Sequence, residues 1–211
     1  MRWRRWFGRK IGVRAGVAGF EWARRIKEDA MGIRNYLIEG VSGSGKTSVA
    51  EELQRRGYHV IHGDRVLAYH GDPQTGARLE PPRGPGVADS AAWVNAHWIW
   101  PVDTVRSLVA DQGEAITFFC GASRNSRHFI DLFDAVFVLE IDAQTLTRRL
   151  VGRPEDEFGG LPAERALVMQ LHATKENIPE RGTAIDATAP LARVVDDILA
   201  RSGEAGRGSS S

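Results

Sequence analysis

At 211 residues the chain is long enough to bury a core without disulfides or a structural metal, and its single cysteine excludes an internal disulfide. The formal net charge is +1, yet residues 1–30 hold nine Lys and Arg against three Asp and Glu, which leaves 19 basic and 24 acidic side chains for the rest. Binding to nucleic acid needs clustered basic residues, so this balance argues against such a partner. Because the one cysteine cannot form an internal disulfide, a reducing compartment suits the chain, and we expect a cytoplasmic protein.

Residues 1–30 differ in composition from the rest of the chain. They combine seven arginines with Trp3, Trp6, Trp22 and four glycines. No apolar run reaches the roughly 7–15 residues of a secretory signal or the ~20 of a membrane span, and the glycines weaken any membrane-surface helix. We therefore expect no membrane contact from this basic extension, and we interpret it as disordered or as preceding a native start at Met31.

The remaining chain alternates between short β-rich runs and helical patterns. The predicted strands are 35–39, 58–62, 115–120, 135–141 and 183–187. The predicted helices are 45–56, 91–112, 126–133, 142–152, 162–178 and 190–201. This alternation predicts a three-layer α/β domain over residues 31–202, with a five-stranded parallel sheet flanked by helices. A polar, flexible tail is expected at 203–211.

An aromatic cluster follows a Pro- and Gly-rich loop at 71–90, which is a candidate substrate lid. The cluster contains Trp93, His97, Trp98 and Trp100. Aromatic faces stack on nucleobases, but the spacing of Trp93, His97 and Trp100 equally suits burial against a sheet. Packing in the core is the favoured interpretation.

The most informative motif is Gly-Val-Ser-Gly-Ser-Gly-Lys-Thr at residues 40–47, between a predicted strand and a predicted helix. Its glycines let backbone amides turn inward around a polyphosphate, and the helix N-terminus adds positive potential. Lys46 is predicted to contact the β- and γ-phosphates of ATP, and Thr47 to offer its hydroxyl to Mg²⁺. The predicted nucleotide-binding residues are Gly40, Ser42, Gly43, Ser44, Gly45, Lys46, Thr47 and Ser48. These residues predict a P-loop NTPase fold.

From Met31 to about residue 200, the order of motifs resembles the nucleoside monophosphate kinase group, of which adenylate kinase is the best-known member, and more generally the small-molecule P-loop kinases. The similar segments are 60–64, 120–124, 137–141 with 148–153, and 185–190. The resemblance implies that Arg124 grips a substrate phosphate. It also implies that Arg149 and Arg153 face the phosphates in transit.

Two positions depart from that group. Leu67 stands where the group has an arginine, so that Arg65 is the nearest substitute, and Cys120 stands where an aspartate holds magnesium waters. An acidic Asp64 at the carboxyl edge of the sheet, without that arginine, favours an acceptor with a hydroxyl group. Asp64 is then predicted to orient or deprotonate the hydroxyl, with an N-cap of the next helix as the alternative.

The predicted function is ATP-dependent phosphorylation of a nucleoside or nucleotide. The predicted catalytic residues are Lys46, Asp64, Arg124, Arg149 and Arg153. The expected partner is a small-molecule phosphoryl acceptor, and its identity and the oligomeric state are left open. Two alternatives stand beside this prediction: a kinase for another metabolite, such as a sugar acid, coenzyme precursor or antibiotic, and a nucleotide-binding regulatory ATPase. The second is disfavoured because there is no Asn-Lys-x-Asp motif and little room for an AAA lid domain.

Overall fold

A computed structural model of the chain describes residues 33–80 and 91–203. The predicted basic extension at 1–30 lies outside the described residues. So do the second half of the Pro- and Gly-rich loop and almost all of the predicted tail.

The strands run in one direction through a central sheet. In chain order the described strands are β1 (Arg34–Glu39), β2 (His59–His62), β3 (Tyr69–His70), β4 (Trp98–Ile99), β5 (Ile116–Cys120), β6 (Ala135–Glu140) and β7 (Thr183–Asp186). Five of them form a sheet in the order β2-β5-β1-β6-β7, and every neighbouring pair is parallel. β3 and β4 form a separate antiparallel pair. The carboxyl ends of β1, β2 and β5 therefore meet at one edge of the large sheet.

Helices cover both faces of this sheet. The described α-helices are α1 (Lys46–Arg55), α2 (Gly63–Val66), α3 (Ala91–Ala96), α4 (Val102–Val109), α5 (Ala143–Val151), α6 (Pro162–Thr174) and α7 (Leu191–Arg201). Consecutive residues of β1 point to opposite faces, so that Ile38 joins a core shared with α1 and α7 while Leu37 joins a second core around Phe119. The predicted three-layer α/β fold is confirmed. None of the described helices is long and apolar enough to cross a membrane.

The prediction of one helix over residues 91–112 is wrong. The segment instead forms helix α3, strand β4 and helix α4. Pro101 stands between the strand and the second helix, where it lacks an N–H to donate and also restricts the residue before it to extended conformations. The predicted helix at 126–133 is likewise replaced by two short 3₁₀ turns, Ser126–His128 and Ile130–Leu132.

The aromatic cluster divides between the core and the antiparallel pair. Trp100 is fully buried and its ring lies parallel to that of Phe129, with 5.7 Å between the centroids, so core packing is confirmed for this residue. Trp93 and His97 are half-buried, with 4.6 Å between their ring centroids. His70 contacts both Trp93 and Trp98, at 5.1 and 5.6 Å between centroids. These rings lie around the β3–β4 pair.

Candidate active site

The loop between β1 and α1 has the backbone shape that its glycines permit. Gly45 directly precedes α1 and has φ 109° and ψ 14°, a left-handed conformation that side chains rarely adopt. A Cβ at Gly40 would lie 2.7 Å from Ser44 Oγ and 3.0 Å from the backbone oxygen of Leu139. The loop could not keep this path with larger residues at either position.

Lys46 folds back over the loop that precedes it. Its Nζ donates hydrogen bonds to the backbone oxygens of Gly40, at 2.6 Å, and Val41, at 3.2 Å. Burial lowers the pKa of Lys46, and the negative charges of Asp64 and Glu39 oppose that shift. The ammonium group is thus held inside the loop, where a bound polyphosphate would replace carbonyl oxygens as its partner.

The remaining groups of the loop suit a nucleotide and its metal ion. Thr47 and Ser48 are exposed in the first turn of α1. Ser44 Oγ is buried and has no hydrogen-bond partner among the described residues. Glycine-permitted amides, an inward lysine and an exposed hydroxyl at a helix N-terminus are the groups that hold a nucleoside triphosphate with Mg²⁺. Within residues 33–80 and 91–203, no three His, Cys, Asp or Glu side chains group to hold a metal ion.

Glu39 is a site residue that the sequence analysis missed. It is 1% exposed at the end of β1, and its Oε1 accepts a hydrogen bond of 3.5 Å from the backbone N–H of Ser123. Its Oε2 has no hydrogen-bond partner in the described part of the chain. Burial raises the pKa of Glu39 to about 7, against the lowering effect of Arg124 and Lys46. The available signal was an acidic residue within a buried apolar strand, since such residues are rarely buried without a role.

Asp64 lies in α2, immediately beyond the carboxyl end of β2. Its Oδ1 accepts hydrogen bonds from Trp98 Nε1, at 3.2 Å, and from the backbone N–H of Ala122, at 3.0 Å. The N-cap alternative is wrong, because α2 begins at Gly63 and its N-cap residue is His62. Asp64 is therefore free of a capping role and connects α2 to the segment that follows β5.

Arg124 follows β5 and faces the two carboxyl groups. Its Nη1 donates to the backbone oxygen of Asn177 at 3.5 Å, whereas its buried Nε has no partner among the described residues. Burial lowers the pKa of Arg124, and the charges of Glu39, Asp64 and Glu176 act in the opposite direction. The guanidinium group thus retains hydrogen-bonding capacity toward a ligand.

The two departures from the resembled kinase group have structural consequences. Leu67 is buried, and Arg65 is exposed with its nearest acidic partner, Glu51, at 3.9 Å. Arg65 therefore lies on the surface, beside Glu51 of α1. Cys120 is buried, and its burial raises the pKa of its thiol far above the usual range. It stays a neutral thiol and supplies no negative charge in place of the aspartate.

Arg149 and Arg153 both contact the glycine-rich loop. Arg149 donates to the backbone oxygens of Ser44, at 2.8 Å, and Ala187, at 2.9 Å. Arg153 Nη1 donates to Ser42 Oγ at 2.7 Å. Arg148, one residue before Arg149, instead turns to Thr145 on the exposed side of α5. The structure therefore brings Lys46, Asp64 and Arg124 together around Glu39 and places Arg149 and Arg153 along the loop.

A glycine-rich loop that surrounds a lysine at the carboxyl edge of a parallel sheet defines a P-loop nucleotide-binding protein. Residues 37–170 match the family described as "AAA domain". The chain belongs to this family. The matched region contains the glycine-rich loop and the proposed site residues Glu39, Asp64, Arg124, Arg149 and Arg153.

Solved structures share the fold. A sugar kinase from Janibacter sp. HTCC2649 superposes with a TM-score of 0.50 at 19% identity, over 85% of this chain and 99% of that chain. A shikimate kinase from Bacteroides thetaiotaomicron superposes with a TM-score of 0.52 at 12% identity, over 81% of this chain and 98% of that chain. At these identities the similarity shows a shared fold alone.

A curated relative matches a shorter stretch. HPr kinase/phosphorylase of Limosilactobacillus reuteri (strain DSM 20016) is 37% identical over an alignment of 81 residues, which covers 35% of this chain and 25% of that protein. The chain thus spans about a quarter of the length of this relative.

Proposed function

We propose that this protein is an ATP-dependent kinase that transfers the γ-phosphoryl group to a hydroxyl group of a small molecule. One observation supports this function above the others: the segment after β5, which includes Arg124, donates backbone N–H groups both to Asp64 Oδ1 and to Glu39 Oε1, and Glu39 directly precedes the loop that holds Lys46. Acceptor-side and nucleotide-side groups therefore converge at one point of the sheet edge. Phosphoryl transfer asks a protein mainly for such positioning and for positive charge around the transferred group.

The nucleotide side uses the glycine-rich loop and the arginines beside it. In the proposed complex, backbone amides of the loop and Lys46 hold the phosphates, and Thr47 contributes its hydroxyl to Mg²⁺. Mg²⁺, when bound, supplies charge neutralisation on the phosphate oxygens. Arg153 is close enough to Lys46 to lower its pKa through its charge. Arg153 would exchange Ser42 Oγ for a phosphate oxygen.

The acceptor side favours a hydroxyl over a second phosphate. Two carboxyl groups, of Asp64 and Glu39, lie at the proposed acceptor site. Among the described residues of that site, Arg124 is the cation near them. A nucleoside monophosphate would bring its negative charge next to Asp64, which is unfavourable unless further cations compensate. Arg65 could supply such a cation, but it lies on the surface beside Glu51. A nucleoside, a sugar or a related hydroxyl compound therefore fits better than the acceptor of an adenylate kinase.

The names of the similar structures agree with an acceptor of that kind, since one is a sugar kinase and the other a shikimate kinase. A second proposal, a protein acceptor, is favoured by the 81-residue similarity to HPr kinase/phosphorylase. The two proposals share the loop, Lys46 and Asp64. They differ in whether the hydroxyl belongs to a metabolite or to a protein side chain.

A phosphorylation screen tests the proposal. The purified chain is incubated with ATP, Mg²⁺ and separate pools of nucleosides, nucleoside monophosphates, sugars and sugar acids, and with HPr protein, and mass spectrometry detects an added phosphoryl group. A product in the nucleoside, sugar or sugar-acid pool, absent with Lys46→Ala, supports the small-molecule kinase. A product in the monophosphate pool alone contradicts the hydroxyl acceptor. ATP hydrolysis without any phosphorylated acceptor would favour the regulatory ATPase.

A further inference from the structure

Trp98 contacts both of the acceptor-side groups. Its indole Nε1 donates to Asp64 Oδ1 at 3.2 Å. Its backbone oxygen accepts a hydrogen bond of 2.9 Å from the backbone N–H of Arg124. Asp64 and Arg124 lie on different segments, beyond β2 and beyond β5. One residue of the short strand β4 therefore connects the proposed carboxylate and the proposed arginine of the acceptor site.

The two oxygens of Asp64 are in different situations. Oδ1 accepts both the indole N–H of Trp98 and the backbone N–H of Ala122. Oδ2 accepts no hydrogen bond from the residues that the structure describes. Gly121 keeps this arrangement open, because a Cβ there would lie 2.8 Å from Asp64 Oδ1. Two donors on one oxygen fix the plane of the carboxylate and leave the other oxygen to a ligand.

The indole itself is held in place by the antiparallel pair. Trp98 is directly opposite His70 in the register of β3 and β4, so the two side chains share a face. Their rings meet edge to face at 62°. On the other face Ile99 is fully buried. The N–H of Trp98 therefore comes from a rigid ring with few alternative orientations.

We propose that Trp98 is a positioning residue: its indole N–H holds Asp64 so that Oδ2 alone meets the hydroxyl of the phosphoryl acceptor. This inference rests on the proposed function and adds a residue to it. Trp98 acts through Asp64, and among the residues that the structure describes its side chain makes no hydrogen bond to the glycine-rich loop. Its effect on phosphoryl transfer should therefore exist only while the Asp64 carboxylate is present.

A double-mutant cycle tests this dependence. Trp98→Phe keeps an aromatic ring but removes the N–H, and it is made in the wild-type and in the Asp64→Ala backgrounds. With the best hydroxyl acceptor from the screen, Trp98→Phe should lower kcat on the order of tenfold in the wild type, the effect of losing one hydrogen bond to a charged group. In the Asp64→Ala background the same change should alter kcat by less than about twofold. The KM for ATP should stay unchanged throughout.

Tyr69→Phe is the matched control. Tyr69 lies on β3, next to His70, and its hydroxyl donates to the backbone oxygen of Gly76 at 2.7 Å, away from Asp64. This variant also loses one hydrogen bond from the antiparallel pair, and kcat should remain at the wild-type value. If Trp98→Phe does not fold, the benzothiophene analogue of tryptophan at position 98 removes the N–H while it keeps the shape of the ring.

The outcomes separate the inference from the proposed function. Equal losses from Trp98→Phe in the two backgrounds, or a loss that Tyr69→Phe reproduces, would show a purely structural role and overturn the inference while the kinase proposal stands. A wild-type protein that phosphorylates no hydroxyl compound would overturn both. A loss confined to the background with Asp64 supports the positioning role.

Discussion

Arg153 Nη1 donates a hydrogen bond of 2.7 Å to Ser42 Oγ in the glycine-rich loop. The same hydroxyl donates to the backbone oxygen of Phe158 at 3.0 Å. One serine thereby fastens the segment after α5 to the loop proposed to hold phosphates. Arg153 also pairs through Nε with Glu157, at 2.9 Å, which orients its guanidinium group.

Arg153→Ala should lower kcat at least about a hundredfold, because arginines that stabilise charge during phosphoryl transfer contribute large factors to the rate. Steady-state kinetics with the best acceptor measures the change. Arg148→Ala is the control, since Arg148 is exposed and bonded to Thr145. Equal activity in the two variants would remove Arg153 from the catalytic residues.

Lys46→Ala should leave a folded protein with phosphoryl transfer at least about a hundredfold slower. In the described part of the chain the lysine donates to the loop carbonyls of Gly40 and Val41, and it does not belong to either hydrophobic core. Thermal unfolding and circular dichroism establish the folded state, and product formation gives the rate. An undiminished rate would contradict the P-loop kinase proposal.

Asp64→Asn and Arg124→Ala distinguish the two kinds of acceptor. If the acceptor is a hydroxyl compound, Asp64→Asn should cut kcat far more than it weakens ATP binding, because the change acts on the acceptor side of the transition state. If the acceptor is a monophosphate, Arg124→Ala should raise the KM of the acceptor steeply while Asp64→Asn stays active. ATP affinity, measured by calorimetry, is the internal control for both variants.

Glu39→Gln should change how stability depends on pH. Because burial raises the folded-state pKa of Glu39 from 4.5 to about 7, the folded protein binds the proton more tightly than the unfolded chain does. The stabilising contribution of proton binding by Glu39 to the free energy of unfolding is therefore complete below pH 4.5. It is lost as the pH rises to about 7. The shift corresponds to about 3 kcal/mol in the free energy of unfolding. The wild type should lose this stability as the pH rises, and Glu39→Gln should keep it.

Urea unfolding of the apo protein across this range measures the effect. The free energy of unfolding of Glu39→Gln should rise relative to that of the wild type between pH 4.5 and pH 7. Glu140→Gln is the control, because Glu140 also ends a strand of the sheet but its side chain is 51% exposed. Parallel pH profiles for wild type and Glu39→Gln would show that Glu39 does not titrate in this window.

The sequence by itself determined the large sheet and the phosphate loop. The five predicted strands agree with the strands of that sheet to within one residue at each end. Short β-rich runs and glycines at fixed spacing predict structure from neighbouring residues alone, because backbone conformation and side-chain period are local properties. For that reason residues 40–47 could be assigned to the turn after β1 and the first residues of α1 before any contact was known.

Only the tertiary structure decided what surrounds the loop. β3 and β4 contain two residues each, too few for a periodic pattern. They form because residues 69–70 and 98–99, far apart in the sequence, pair with each other. The hydrogen bond from Trp98 to Asp64 spans 34 residues, and that from Ser123 to Glu39 spans 84. Glu39 has a raised pKa because packing excludes water from its carboxyl group. Such contacts depend on how distant segments pack, so neighbouring residues could not predict them.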